Sequence, residues 1–450
     1  MTRAALTIAF LASVQLLTAQ HLREMGSGPD LGTPPSHMGP GPDSRGALPQ
    51  TGPGPVVAIT NARILTAAGP AIERGTIVIT GGRISAVGAD VAAPAGARVI
   101  DAAGRIVTPG FIESNTNLGI VEIPLSAEGT ADQNSTDPGV SAAFDVVDAF
   151  NPLSAAIPVA RVDGVTRALV VPGGTGHIVQ GQAAVFDLGG AQVPDSVTKR
   201  QAAMMASLGE AGAAVAGGSR ATAMLRLREL LQDAIDFSRH RAAWNTAQRR
   251  GYARGRMDLE ALRPVIAGEM PLAIQANRAS DLLAAMRLAD EFKLKLVLVG
   301  AAEAWMVADQ IAKRRVPVVI KPLTNVPTFD ALAATLENAA RLHAAGLTLV
   351  LSSFETHRAG TLRQEAGNAI AYGLDRDAAL QAVTIAPARV WGVADRTGSL
   401  ETGKDADLVV WSGDPFELTT HAEHVFIRGQ EMPMGTRQSE LLKKYRTIER

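Results

Sequence analysis

Through the middle of this chain, short apolar runs alternate with stretches of helical length and helical spacing. The strand candidates are residues 165–171, 182–187, 271–275, 295–299, 316–320 and 347–352. The helix candidates are residues 221–248, 280–292, 302–314, 328–345 and 376–386. Strands that look buried on both faces and are separated by helices imply a parallel sheet. Repeated this many times, the alternation predicts a closed (β/α)8 barrel. Periodicity alone also permits an open doubly wound sheet. No G-x-G-x-x-G or G-x-x-x-x-G-K-[ST] loop stands where such a sheet would need one.

The flanks read differently. Residues 56–60, 62–66, 76–80 and 83–87 are short β-rich runs separated by turn formers such as Gly69-Pro70 and Gly81-Gly82. Residues 407–411 and 424–428 repeat that style near the other end. The expectation is one small β-domain built from both sides of the barrel: residues 56–108, then the barrel over 109–394, then 395–432, with a tail over 433–450.

Residues 1–20 begin Met1-Thr-Arg3 and continue through a short apolar run to Thr18-Ala19-Gln20. A positive start, an apolar run too short to span a bilayer and a small-residue exit predict a secretory signal peptide. Residues 21–55 are dense in Gly and Pro and predict a flexible linker. No second long apolar run follows, so the mature protein is expected to lack a membrane span and to be periplasmic or secreted.

With 43 basic and 44 acidic side chains in 450 residues, the chain has no basic excess to suit a nucleic acid. It has no cysteine, which removes thiolate zinc sites and cysteine nucleophiles. Eight histidines remain, enough in number for a metal site.

Val99-Ile-Asp101 leads to Pro109-Gly110-Phe111-Ile112-Glu113. Far downstream come Thr384-Ile-Ala-Pro387-Ala-Arg389 and the string Gly398-Ser-Leu-Glu401-Thr-Gly403-Lys404-Asp405-Ala406-Asp407-Leu408-Val409. Asn151-Pro152, Gly164-Val165-Thr166 and Pro172-Gly173 agree with them. Over residues 56–430 the chain resembles the amidohydrolase superfamily, in particular its imidazolonepropionase-like branch. That resemblance implies a (β/α)8 barrel with a small β-sandwich, and hydrolysis of non-peptide C–N bonds. It also implies one or two divalent metals such as zinc at the strand ends. The metal would lower the pKa of a bound water, and an aspartate after the eighth strand would act as base.

The sequence departs from that pattern at each ligand position that aligns. Where the family has His-x-His on the first strand, Asn115 and Asn117 stand. The fifth strand offers Gln275, the sixth Gly300 and the eighth Phe354. Carboxamides are poor zinc ligands, although they suit a hard cation such as calcium. No lysine lies between Lys199 and Lys293 to supply a carbamylated bridge, although a glutamate would serve. No metal cofactor is therefore expected. The alignment requires Asn115, Gln275, Gly300 and Phe354 to meet at one end of the barrel.

Of the histidines, His21 and His37 precede the folded part, His240 and His343 fall on helices, and His421 and His424 fall in the terminal sheet. His177, after the second strand, and His357, beside Glu355 after the eighth, are the candidate catalytic groups with Glu355. Arg278 and Lys321 follow the fifth and seventh strands and are candidate anion-binding residues at the barrel mouth. A solvated loop or a structural salt bridge is the plainer account of all five. Ser352 and Ser353 lack a nucleophile-elbow context.

Three functions follow from these residues. The first is a metal-free pseudoenzyme or partner subunit of an active amidohydrolase homologue, with a possible small-molecule ligand at the mouth. The second is an active C–N hydrolase with a rebuilt site. The third is a periplasmic module that binds small anions.

Overall fold

The computed structural model describes residues 55–122, 131–173, 176–245, 251–446. The expected signal peptide (1–20) and nearly all of the expected linker (21–55) lie outside them. No helix among the described residues is long and apolar enough to cross a membrane.

Five strands come first: β1 (Val57–Ile64), β2 (Ile72–Thr80), β3 (Arg83–Gly88), β4 (Arg98–Asp101) and β5 (Ile106–Pro109). Eight more follow: β6 (Phe111–Thr116), β7 (Val165–Val170), β8 (Val179–Asp187), β9 (Val197–Ser207), β10 (Leu272–Ala276), β11 (Leu296–Gly300), β12 (Val318–Ile320) and β13 (Leu349–Leu351). The last three are β14 (Leu408–Trp411), β15 (Ala422–Ile427) and β16 (Gln430–Glu431).

The first sheet has the order β16-β15-β14-β5-β1-β2-β3, with β4 also on β1, so C-terminal strands complete an N-terminal sheet. Its core takes alternate residues such as Val57 and Ile59, Ile77 and Ile79, Leu408 and Val410, as a half-buried sheet requires.

The second sheet, β6 through β13 in chain order, is the barrel. Its interior is filled at a spacing of two, by Ala183 and Val185, Ala203 and Met205, Val297 and Val299, with Val319 and Val350 beside them. The helix Ile385–Val390 and Trp391 close its amino-terminal end, and the Trp391 indole N–H reaches Ser114 Oγ on β6 at 3.1 Å. The outer faces pack on helices through Leu282, Ala285 and Met286. Burial on both faces is why these strands read as continuous apolar runs.

The barrel departs from simple alternation at one place. β8 is antiparallel to both β7 and β9, so the second and third strands form a hairpin without an intervening helix. β9 was not apparent as a strand, because it opens Val-Thr-Lys-Arg-Gln and closes on Ala and Met rather than β-branched residues. The expected helix at 328–345 shortens to Asn338–Ala344, behind a loop tied by Thr328–Ala331 bridging.

The Gly-Lys-Asp-Ala-Asp string acquires a physical role here. Arg167 on β7 is fully buried and forms ion pairs with Asp405 at 2.7 Å and Asp407 at 2.5 Å. Asp407 also accepts from Thr397 Oγ1 and the Arg428 backbone N–H. This network joins the β-domain to the barrel. Burial pushes the nearby Asp187 carboxyl up to about 6, against the pull of Arg167 and Arg428.

Candidate functional site

Seven of the eight barrel strands run in one direction, so their carboxyl ends share one rim. Asn115, Gln275 and Gly300 occupy those ends, and Phe354 follows the last strand. The four stand on the same rim.

β6 and β13 are joined there by a buried carboxylate. Glu113 is fully buried and accepts from the backbone N–H groups of Ser114 at 2.9 Å, Asn115 at 3.1 Å and Ser353 at 3.0 Å. It also accepts from Ser352 Oγ. Burial raises its pKa, and the donated hydrogen bonds oppose the rise. Next to it, Thr116 Oγ1 donates to the Glu355 carbonyl at 2.7 Å, and the Asn117 amide donates to the Val171 carbonyl at 2.8 Å. The Ser352 hydroxyl is therefore a structural donor.

Three of the rim positions carry the following groups. Asn117 donates its amide across to the end of β7. Gly300 sits at φ +84, and a Cβ there would lie 2.5 Å from Asn277 Oδ1. No side chain fits at 300 without moving Asn277. Phe354 adopts φ +54 and packs its apolar ring on the barrel's interior cluster. Among the described residues no three His, Asp or Glu side chains are grouped to hold a metal ion.

The charged groups are arranged as follows. Lys321 Nζ contacts Glu355 Oε1 at 2.8 Å, and Arg358 reaches the other oxygen at 3.4 Å. Partial burial pushes the Glu355 carboxyl up, but Lys321 and Arg358 outweigh it and hold the carboxyl below its usual range. Glu365, on the helix Leu362–Ala371, is buried and accepts from the Leu323 backbone N–H at 2.6 Å; its other oxygen has no hydrogen-bond partner. Burial raises it to about 7, with Lys321 opposing and Glu113 and Glu355 reinforcing the shift. Neither Glu113 nor Glu365 was singled out in the sequence. Glu113 directly follows Pro-Gly-Phe-Ile, a usable signal; Glu365 lies in no motif.

The two candidate histidines do not join this group. Arg254 donates to His177 Nδ1 at 3.1 Å, which leaves the proton on Nε2, facing the Asp137 carbonyl at 3.3 Å. His177 lines a cavity of about 530 Å3 with Ser141, Arg226, Glu229 and Arg254. His357 is exposed and holds the Glu122 carbonyl through Nε2, without contacting the Glu355 carboxylate. Arg278 donates to the Phe329 carbonyl at 3.2 Å, and Lys321 is paired as above. The structure thus brings Lys321 and Glu355 together and leaves His177, His357 and Arg278 in other contacts.

The family model described as Amidohydrolase family matches residues 285–434. The amidohydrolase tasK of Hapsidospora irregularis is 26% identical over 390 residues, which are 80% of this chain and 39% of that protein. The chain therefore spans about two-fifths of that relative's length. Among solved structures, an amidohydrolase from Thermotoga maritima is 28% identical with a TM-score of 0.76, covering 84% of this chain and 99% of that one. Molinate hydrolase shares the fold at 17% identity and a TM-score of 0.54, over 88% of this chain and 99% of its own. In its barrel, its completed β-domain and its motifs, the chain is similar to amidohydrolases.

Proposed function

We propose that this protein is a metal-free member of its superfamily that acts as a partner subunit to an active amidohydrolase homologue. The observation that carries this reading is the chemistry of the rim. Asn117 donates where a ligand should accept, Gly300 leaves no room for a side chain while Asn277 holds its place, and Phe354 supplies no charge. A buried ligand histidine without its metal would be an unsatisfied polar group, so its replacement is physically reasonable once the chemistry is gone. The partner role is supported by exposed apolar side chains after β12: Leu323, Val326, Phe329 and Leu332, of which Phe329 is 94% exposed. Secretion to the periplasm rests on the sequence of residues 1–20.

Elemental analysis of purified protein, with turnover assays on amides and cyclic amides, tests this. The expected result is substoichiometric zinc, manganese and iron with no turnover, and co-purification with a homologue. Stoichiometric metal that supports turnover would overturn it.

A second reading, C–N bond hydrolysis by a rebuilt site, is favoured by Glu365. A carboxyl that titrates near neutrality is suited to acid–base work. Metal-independent turnover abolished by Glu365→Gln would establish it. Anion binding at the mouth lacks such support, because Lys321 and Arg278 are already engaged.

A further inference from the structure

The opposite end of the barrel carries a second cavity, of about 560 Å3. It opens where β10, β11 and β12 begin, beside Pro271, Leu296 and Pro317. Five cations line it: Lys199, Lys295, Arg314, Arg315 and Arg389. Only two carboxylates do, Glu269 and Asp290. Asp290 is taken by Arg314 at 3.0 Å. Among the described residues, none of the other four cations has a carboxylate within ion-pair distance. Asp395 attracts Lys199 from farther away.

Helix ends do not account for this excess. Arg314 and Arg315 end the helix Ala308–Arg314, and Arg389 lies in the last turn of Ile385–Val390, where cations serve the carbonyl end. Lys199 lies on β9 and Lys295 just before β11, and neither has such a role. Lys199 is half-buried, and among the described residues its ammonium makes one hydrogen bond, to the Gly392 carbonyl at 3.5 Å. Gly392 has φ +68 and no Cβ, and a Cβ there would collide with the Lys199 ammonium. Burial lowers the Lys199 pKa and Lys295 lowers it further, while Asp395 opposes. Two lysines held within each other's field with no carboxylate between them are a liability that an anion would relieve. The rest of the wall is apolar, with Leu294, Leu296 and Val316.

We propose that this cavity is a ligand site, remote from the barrel mouth, for a phosphate ester with an apolar substituent. The phosphate sits among Lys199, Lys295 and Arg315, and the apolar group lies on the aliphatic wall.

Titration calorimetry of the full chain with phenyl phosphate, at constant ionic strength, tests the assignment. Phenyl phosphate is expected to bind, and phenol is not. Lys295→Gln and Arg315→Gln, both at exposed positions, are each expected to weaken binding about tenfold or more. Lys321→Gln at the mouth is expected to leave it unchanged. Three results would each overturn the proposal: no heat with the unaltered protein, unaltered affinity in both rim-remote variants, or loss of binding in Lys321→Gln.

Discussion

Glu113 Oε2 accepts the backbone N–H of Ser353 at 3.0 Å, and so ties the first barrel strand to the eighth. The bond sits at the seam of the barrel sheet, where its two terminal strands meet. The residues are 240 positions apart.

Removing that carboxyl leaves the backbone donors of Ser114, Asn115 and Ser353 buried without an acceptor. Glu113→Ala is expected to lower unfolding stability by about 2–4 kcal/mol. Glu113→Gln keeps an acceptor and is expected to cost about half as much. Urea denaturation midpoints measure both; equal losses in the two variants would mean that the hydrogen bonds are not the cause.

The buried Arg167 makes a sharper prediction. Arg167→Met strands Asp405 and Asp407 inside the junction between barrel and β-domain. Loss of one partner from such a network costs about 3–5 kcal/mol. Thr198→Ala removes only a hydroxyl partner of the same guanidinium and is expected to cost about 1 kcal/mol. A change under about 1 kcal/mol in Arg167→Met would remove the junction from the account of stability.

Gly300 should resist any side chain. Its left-handed backbone and the proximity of Asn277 Oδ1 make Gly300→Ala unfavourable by about 1–3 kcal/mol. The companion variant Asn277→Gly clears the collision and is expected to recover part of that loss. If Gly300→Ala unfolds at the temperature of the parent protein, the steric case against a ligand at this strand end fails.

Glu365 predicts a pH dependence. Its carboxyl stands at about 7 in the folded protein, above its ordinary value of 4.5. The folded state therefore holds this proton more tightly than the unfolded chain does. The contribution is complete below about pH 4.5 and is lost as pH rises through about 7. Glu365→Gln mimics the protonated acid. It is expected to match the parent protein at pH 4.5 and to exceed it at pH 8 by on the order of 2 kcal/mol. Asp187, raised to about 6, drives the parent protein in the same direction between about pH 4 and 6. Thermal unfolding across that range reads both effects, and a variant parallel to its parent at every pH would show that Glu365 does not titrate as described.

Much of the architecture is legible in the residues alone. Strands such as Leu296–Gly300 are apolar throughout because helices cover one face and the barrel interior the other. The β-domain shows in its alternating residues and in the Gly-Lys-Asp-Ala-Asp string. The expectation that Asn115, Asn117, Gln275, Gly300 and Phe354 stand at the family's ligand positions rests on the sequence and its resemblance alone. Strand β9 and the hairpin of β7 and β8 escape, since weak β-formers take their conformation from neighbours on both sides.

The partners of the charged groups are another matter. A sequence places Glu355 beside His357, but the fold gives the carboxylate to Lys321 and the imidazole to the Glu122 carbonyl. It pairs Arg167 with aspartates more than 230 positions away, and it sets Lys199 and Lys295 in one cavity. Local patterning reports which face of a strand or helix is apolar, because that depends on spacing along the chain. Which charge meets which depends on barrel closure, and closure is decided only when all eight strands have packed.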